Sequence, residues 1–240
     1  MRYAPVRYAK QLFTMGIASL VWATAIAPTL AAPTSSTPQS TQQNVQLDSN
    51  NATSYYQQGN ELYHQGKLNE AIAAYRQALK LDPEYVEAYV GLGNALDDKG
   101  DTDKAISAYQ QAIRLQPNDA IAYYNLGVTH YRLNKYAEAV AAFEKTTQLD
   151  PQFVLGFISL GNALDDFGKF PAAIQAYQQA LQLEPNNASA YLNMGIAYAR
   201  QKQNQAAIEA LQKAKTLYQS EDNPEAVQQI EQMLKQLTTS

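Results

Sequence analysis

From residue 52 onward the apolar positions fall at helical spacing, and the pattern returns every 34 residues. Pro83, Pro117, Pro151 and Pro185 mark that period, each following an acid or amide at the end of an apolar run. The octapeptide GNALDDKG at 93–100 recurs as GNALDDFG at 161–168, twice the period away. Counting units from Ala52, Val86, Ala120, Val154 and Ala188, the fourth position is always aromatic: Tyr55, Tyr89, Tyr123, Phe157 and Tyr191. The eighth is always glycine (Gly59, Gly93, Gly127, Gly161, Gly195) and the twentieth always alanine (Ala71, Ala105, Ala139, Ala173, Ala207). The twenty-fourth is large: Tyr75, Tyr109, Phe143, Tyr177 and Leu211. Helices approach closely only where side chains are small, and large rings fill the space left beside them. A mid-helix glycine costs about 1 kcal/mol against alanine, so five in register predict close packing that outweighs the loss.

This register resembles that of the tetratricopeptide repeat (TPR) family, whose 34-residue unit carries aromatic, Gly, Ala and Pro markers at these places. The resemblance covers about 52–237. It implies an all-α solenoid of five helix-turn-helix repeats (52–85, 86–119, 120–153, 154–187 and 188–219) wound as a right-handed superhelix. Two departures fall at the array ends, where capping units carry polar outer faces: Gln58 replaces Leu or Met, and Gln219 replaces the expected proline. Asn223-Pro224-Glu225 then reads as a helix start, followed by Val227, Ile230, Met233, Leu234 and Leu237 at helical spacing, which predicts a capping helix within 220–240.

The resemblance also implies a ligand groove along the first helix of each hairpin. Positions 2, 5, 9 and 12 form one stripe of that helix, with position 6 at its edge and position 13 one residue beyond. The candidate groove residues there are Tyr56, Asn60 and Tyr63; Asn94 and Asp97; Tyr124, Asn125, Tyr131 and Arg132; Asn162 and Asp165; Asn193 and Arg200. Amide side chains both donate and accept, so a row of them suits the peptide groups of a bound segment whatever its sequence. Asn125 and Asn193 match an asparagine ladder known in the family; Asn60, Asn94 and Asn162 stand three positions later. The competing reading is that the asparagines bond across neighbouring units. Asp97-Asp98 and Asp165-Asp166 lie in the last turns of their helices, where the macrodipole disfavours anions. Arg132 and Arg200 alternate with them, either as pairs between adjacent units or as determinants of partner choice. The family's carboxylate clamp is absent, since Tyr56-Gln57 and Tyr124-Asn125 occupy its places.

Ahead of the repeats, Arg2, Arg7 and Lys10 precede an uncharged, largely apolar run from Phe13 to Ala27. Residues 1–31 read as a signal peptide cleaved after Ala31, with an uncleaved signal anchor as the alternative. Residues 32–51, rich in Ser, Thr, Pro, Gln and Asn, read as a flexible linker. The expectation is export to a periplasm or thylakoid lumen, with membrane association only through an uncleaved leader. Beyond the leader, 15 basic residues face 22 acidic ones, scattered rather than clustered, which argues against nucleic acid and anionic membranes as partners. There is no Cys, which excludes disulfides and thiolate chemistry. No Walker loop, GxSxG, HExxH or EF-hand spacing occurs, and no cofactor or metal is expected. Of the two histidines, His130 falls at the packed position 11 and reads as a satisfied buried side chain rather than a base. The reading is of a non-enzymatic scaffold that takes a protein or peptide ligand and assembles or recruits other proteins, with self-association as a structural alternative.

Overall fold

The computed structural model describes residues 51–239. Residues 1–31, read above as a signal peptide, and all of the segment read as a linker except Asn51 lie outside the described residues. Eleven helices form, with no strand among the described residues: α1 Ala52–His64, α2 Leu68–Leu81, α3 Val86–Lys99, α4 Thr102–Leu115, α5 Ala120–Arg132, α6 Tyr136–Leu149, α7 Val154–Asp166, α8 Phe170–Leu183, α9 Ala188–Arg200, α10 Asn204–Ser220 and α11 Pro224–Thr239. Helices α1 to α10 pair into five hairpins, and α11 packs on α10.

Each hairpin turns through a left-handed residue at position 15 of its unit: Gly66 (φ 73°), Gly100 (φ 91°), Asn134 (φ 57°), Gly168 (φ 82°) and Lys202 (φ 63°). Glycine and asparagine tolerate this region, whereas Lys202 adopts it against the preference of its Cβ. Within a hairpin, the glycine at position 8 lies directly under the side chain at position 24. A Cβ added to Gly93 or Gly161 would come within 2.4 Å of the Tyr109 or Tyr177 ring. The same pairing joins Gly59 to Tyr75, Gly127 to Phe143 and Gly195 to Leu211. These five large side chains are buried to 2% exposure or less, with alanines packed around them.

The second helix of each unit packs on the first helix of the next. Neighbouring first helices also touch one another, whereas successive second helices make no comparable contact. The first helices therefore form the inner, concave layer of a solenoid and the second helices its outer layer. The last helix closes the array as the sequence implies: the Asn223 side chain accepts from the Ala226 amide (3.1 Å), and Ile230 is fully buried against Leu211, Ala214 and Tyr218.

Candidate functional site, the inner face of the first helices

The stripe at positions 6, 9, 12 and 13 lies where neighbouring first helices meet, and most of its polar groups bond there. Asn94 Oδ1 accepts from the Tyr109 hydroxyl (2.8 Å) of its own hairpin and from Asn125 Nδ2 (3.0 Å) of the next. Asn162 Oδ1 repeats both bonds, from Tyr177 (2.7 Å) and from Asn193 Nδ2 (3.0 Å). In the first unit Asn60 Oδ1 accepts from Tyr75 (2.7 Å). Burial pushes the hydroxyls of Tyr75, Tyr109 and Tyr177 well above the ordinary tyrosine range, so they stay protonated and donate.

At the far end of the same helices, the charges pair between units. Arg132 donates to Asp97 Oδ2 (2.6 Å), and Arg200 donates to Asp165 and, at 3.5 Å, to Asp166. Tyr63 donates to Asp98 (2.6 Å) and Tyr131 to Asp166 (2.6 Å), each reaching forward to the following unit. Asp97 and Asp165 are buried, and each keeps one sealed carboxylate oxygen without a partner. Burial outweighs the adjacent arginine in both: Asp97 is raised, and Asp165 is pushed up to about 6. The arrangement accounts for anions in a helix's last turn, since a guanidinium from the next unit offsets the dipole.

Several sequence-predicted contacts are thus inter-unit ties. Tyr124 is not an exposed groove residue: it is 9% exposed, with its ring against Phe143 (5.7 Å) and Phe153 (4.9 Å). Tyr56 likewise stacks near Tyr85 (5.0 Å) and Tyr75 (6.0 Å). Asn162 and Asn193 are buried, while Asn60, Asn94 and Asn125 are partly exposed. His130 departs from expectation, for its buried Nδ1 has no partner, and burial lowers its pKa below the ordinary value. Two residues not singled out are Ile121 and Leu155, exposed at 50% and 40%. Both occupy position 2 of the stripe, where the first, second and fifth units carry Thr53, Glu87 and Ser189; that contrast was readable in the sequence. Among the described residues no group of three or more His, Cys, Asp or Glu is placed to hold a metal ion.

Paired helices with glycine-ring contacts, first helices on the inside, and a 34-residue register define a TPR solenoid. Three family models agree: a tetratricopeptide repeat model matches residues 90–152, a TPR repeat model matches 59–100 and 166–202, and a further tetratricopeptide repeat model matches 188–221. The chain belongs to the tetratricopeptide-repeat family, whose fold serves protein–protein interaction. Among solved structures it is similar to a MamA protein, at 28% identity and a TM-score of 0.66 over 72% of this chain and 95% of that one. It is also similar to YrrB, described as a TPR protein with an unusual peptide-binding site (25% identity, TM-score 0.63, covering 72% and 89%). MamA from Desulfovibrio magneticus RS-1 shares the fold at 23% identity and a TM-score of 0.67, covering 71% and 97%. Comparison with curated proteins gives no match.

Proposed function

We propose that this protein is an exported scaffold whose inner face takes a peptide segment of another protein and thereby recruits or assembles that partner. The observation that carries the reading is the chemistry left on this face once internal bonds are made. The strongest charges there, Arg132 with Asp97 and Arg200 with Asp165, pair with one another. Ile121 and Leu155 remain exposed, and the amides of Asn94 and Asn125 are partly open to solvent. A face of unspent amide and apolar groups suits a neutral polypeptide better than a nucleic acid or an ionic metabolite. The peptide-binding site named for YrrB, a relative of the same fold, supports the same use of this one. Export rests on the basic, then apolar, then small-residue order of residues 1–31. The partners are then proteins of the periplasm or thylakoid lumen.

In-cell photo-cross-linking tests the reading. A photoreactive residue at Val128, on the inner stripe, is expected to capture a discrete protein in the exported fraction. One at Gln175, exposed on the outer layer in α8, is expected to capture none. Capture from Gln175 alone, or recovery of the chain only in the cytosol, overturns it.

A further inference from the structure

The two ends of the hairpins differ in charge. At one end lie the hairpin turns, where every unit carries a lysine: Lys67, Lys99, Lys135, Lys169 and Lys202. At the other end lie the four loops between units, 82–85, 116–119, 150–153 and 184–187. These loops and the first helical turn after each hold six acids, Asp82, Glu84, Glu87, Asp119, Asp150 and Glu184, and no lysine or arginine. None of the six is in an ion pair. Asp82, Asp119 and Asp150 each give one oxygen to a main-chain amide close by, and Glu184 gives one to the Asn187 side chain, so the loops hold their shape while the charge stays at the surface. The bases nearest in sequence are Lys80 and Arg114, in the last turns of α2 and α4, whereas α6 and α8 end without one. The same edge is also apolar. Among the described residues four large hydrophobics are exposed, and three of them are here: Leu81 (51%) closes α2, and Ile121 (50%) and Leu155 (40%) are the second residues of α5 and α7. The fourth, Phe167, is at the hairpin-turn edge, with the Lys169 ammonium 4.9 Å from its ring centre.

We propose that this edge is a second docking surface, and that its occupant is a basic polypeptide segment with apolar residues interspersed among its lysines or arginines. The proposal goes beyond the inner-face reading, with which it shares Ile121 and Leu155. Exposed leucine and isoleucine gain from contact with apolar side chains, and the unpaired carboxylates around them gain from cations, so a partner that offers both satisfies the whole edge. Asp82, Asp150 and Glu184 occupy the same position of their units, which sets the cations they call for at the spacing of the repeat. A nucleic acid or an anionic lipid surface meets like charge here. A divalent ion is not gripped, since no three of the acids come together.

The test uses the full chain and three fluorescent peptides of equal length that share their leucines and differ in carrying lysine, glutamine or glutamate between them. The lysine peptide is expected to bind about 10-fold tighter than the glutamine peptide, and the glutamate peptide weakest of all. Glu84→Gln, Glu87→Gln, Asp150→Asn and Glu184→Gln together keep oxygen acceptors for the loop bonds and should abolish the lysine preference. The same change of charge at exposed acids elsewhere, Glu138→Gln, Glu144→Gln, Glu209→Gln and Glu221→Gln, should leave it intact, which separates this edge from the net charge of the chain. Ile121→Ser with Leu155→Ser should weaken the lysine and glutamine peptides about 10-fold. Equal binding of the lysine and glutamate peptides, or equal loss in the two sets of charge variants, overturns the proposal. Self-association of the chain that disappears when the four edge acids are neutralised also overturns it, because the occupant is then a second copy. A lysine preference that depends on those acids while a probe at Val128 captures nothing supports the edge and removes the inner-face reading.

Discussion

Two titratable groups, buried Asp165 and half-buried His130, pull stability in opposite directions with pH. The folded value of Asp165, about 6, lies above the ordinary 3.8, so between those values the folded protein holds a proton that the unfolded chain has released. Stability from this group is therefore present at low pH and is lost as pH rises through about 6. His130 is lowered by burial, so acidification below the ordinary imidazole value costs stability at that site. Asp165→Asn should remove the first effect and leave the second. The wild type is expected to gain stability over the variant on going from pH 7 to pH 5 in denaturant titrations; a constant difference would contradict the burial argument. The glycines permit a sharper prediction. Gly161→Ala places a Cβ 2.4 Å from the Tyr177 ring and should cost on the order of 1–3 kcal/mol despite the better helix propensity of alanine. Gly156→Ala meets nothing nearer than a Thr146 methyl at 3.2 Å and should be close to neutral in the same thermal melts. The glycine-ring contacts were legible from the register because small and large residues alternate at fixed offsets. The asparagines were left open between groove amides and ties across units, because position 9 is both floor and joint, and only coordinates show that their oxygens bond across the units.

At the level of elements, the true period is two units, 68 residues. The first helices of the first, third and fifth units begin with Asn51, Asp119 and Asn187, whose side chains accept amide protons of the first turn. Those of the second and fourth begin with Tyr85 and Phe153, which make no such bond and instead stack on Tyr56 and Tyr124 of the preceding unit. Arg132 and Arg200 follow the same alternation. Asn51-Ala-Thr53 and Asn187-Ala-Ser189, which have the form of glycosylation sequons, thus serve as helix caps. Asn187→Ala is expected to cost about 1 kcal/mol and lower the melting temperature by about 3 °C, whereas a similar change at exposed Asn186, which caps no helix, should have little effect. The recurrence of GNALDD announced the double period in the sequence. Its physical content, alternate capping and stacking, emerged only when the residue before each unit was placed.

Across the whole array the apolar core is unevenly continuous. One cluster runs through the first two units and takes only Leu126 from the third, while another runs unbroken from Tyr124 to Ala210. Where the second and third units meet, Thr129 stands in place of the alanine found at that position in the second, fourth and fifth units, and the Asn94–Asn125 and Asp97–Arg132 ties carry the contact. The joint of the fourth and fifth units has equivalent ties plus apolar backing from Tyr177, Met194 and Ala197. Amides of α4 and α5 should therefore exchange hydrogen through openings of lower free energy than those of α8 and α9. Equal protection would show that polar ties alone equalise the joints.

The central claim, that the inner face takes a peptide segment of a partner protein, is tested most directly by following side-chain amide resonances of the full chain as a peptide from a partner captured at Val128 is added. Shifts confined to Asn94, Asn125, Asn162 and Asn193, with exposed Asn69, Asn118 and Asn186 unmoved, are the expected result. Shifts in the exposed asparagines with the four unmoved would place binding elsewhere on the solenoid and contradict the account.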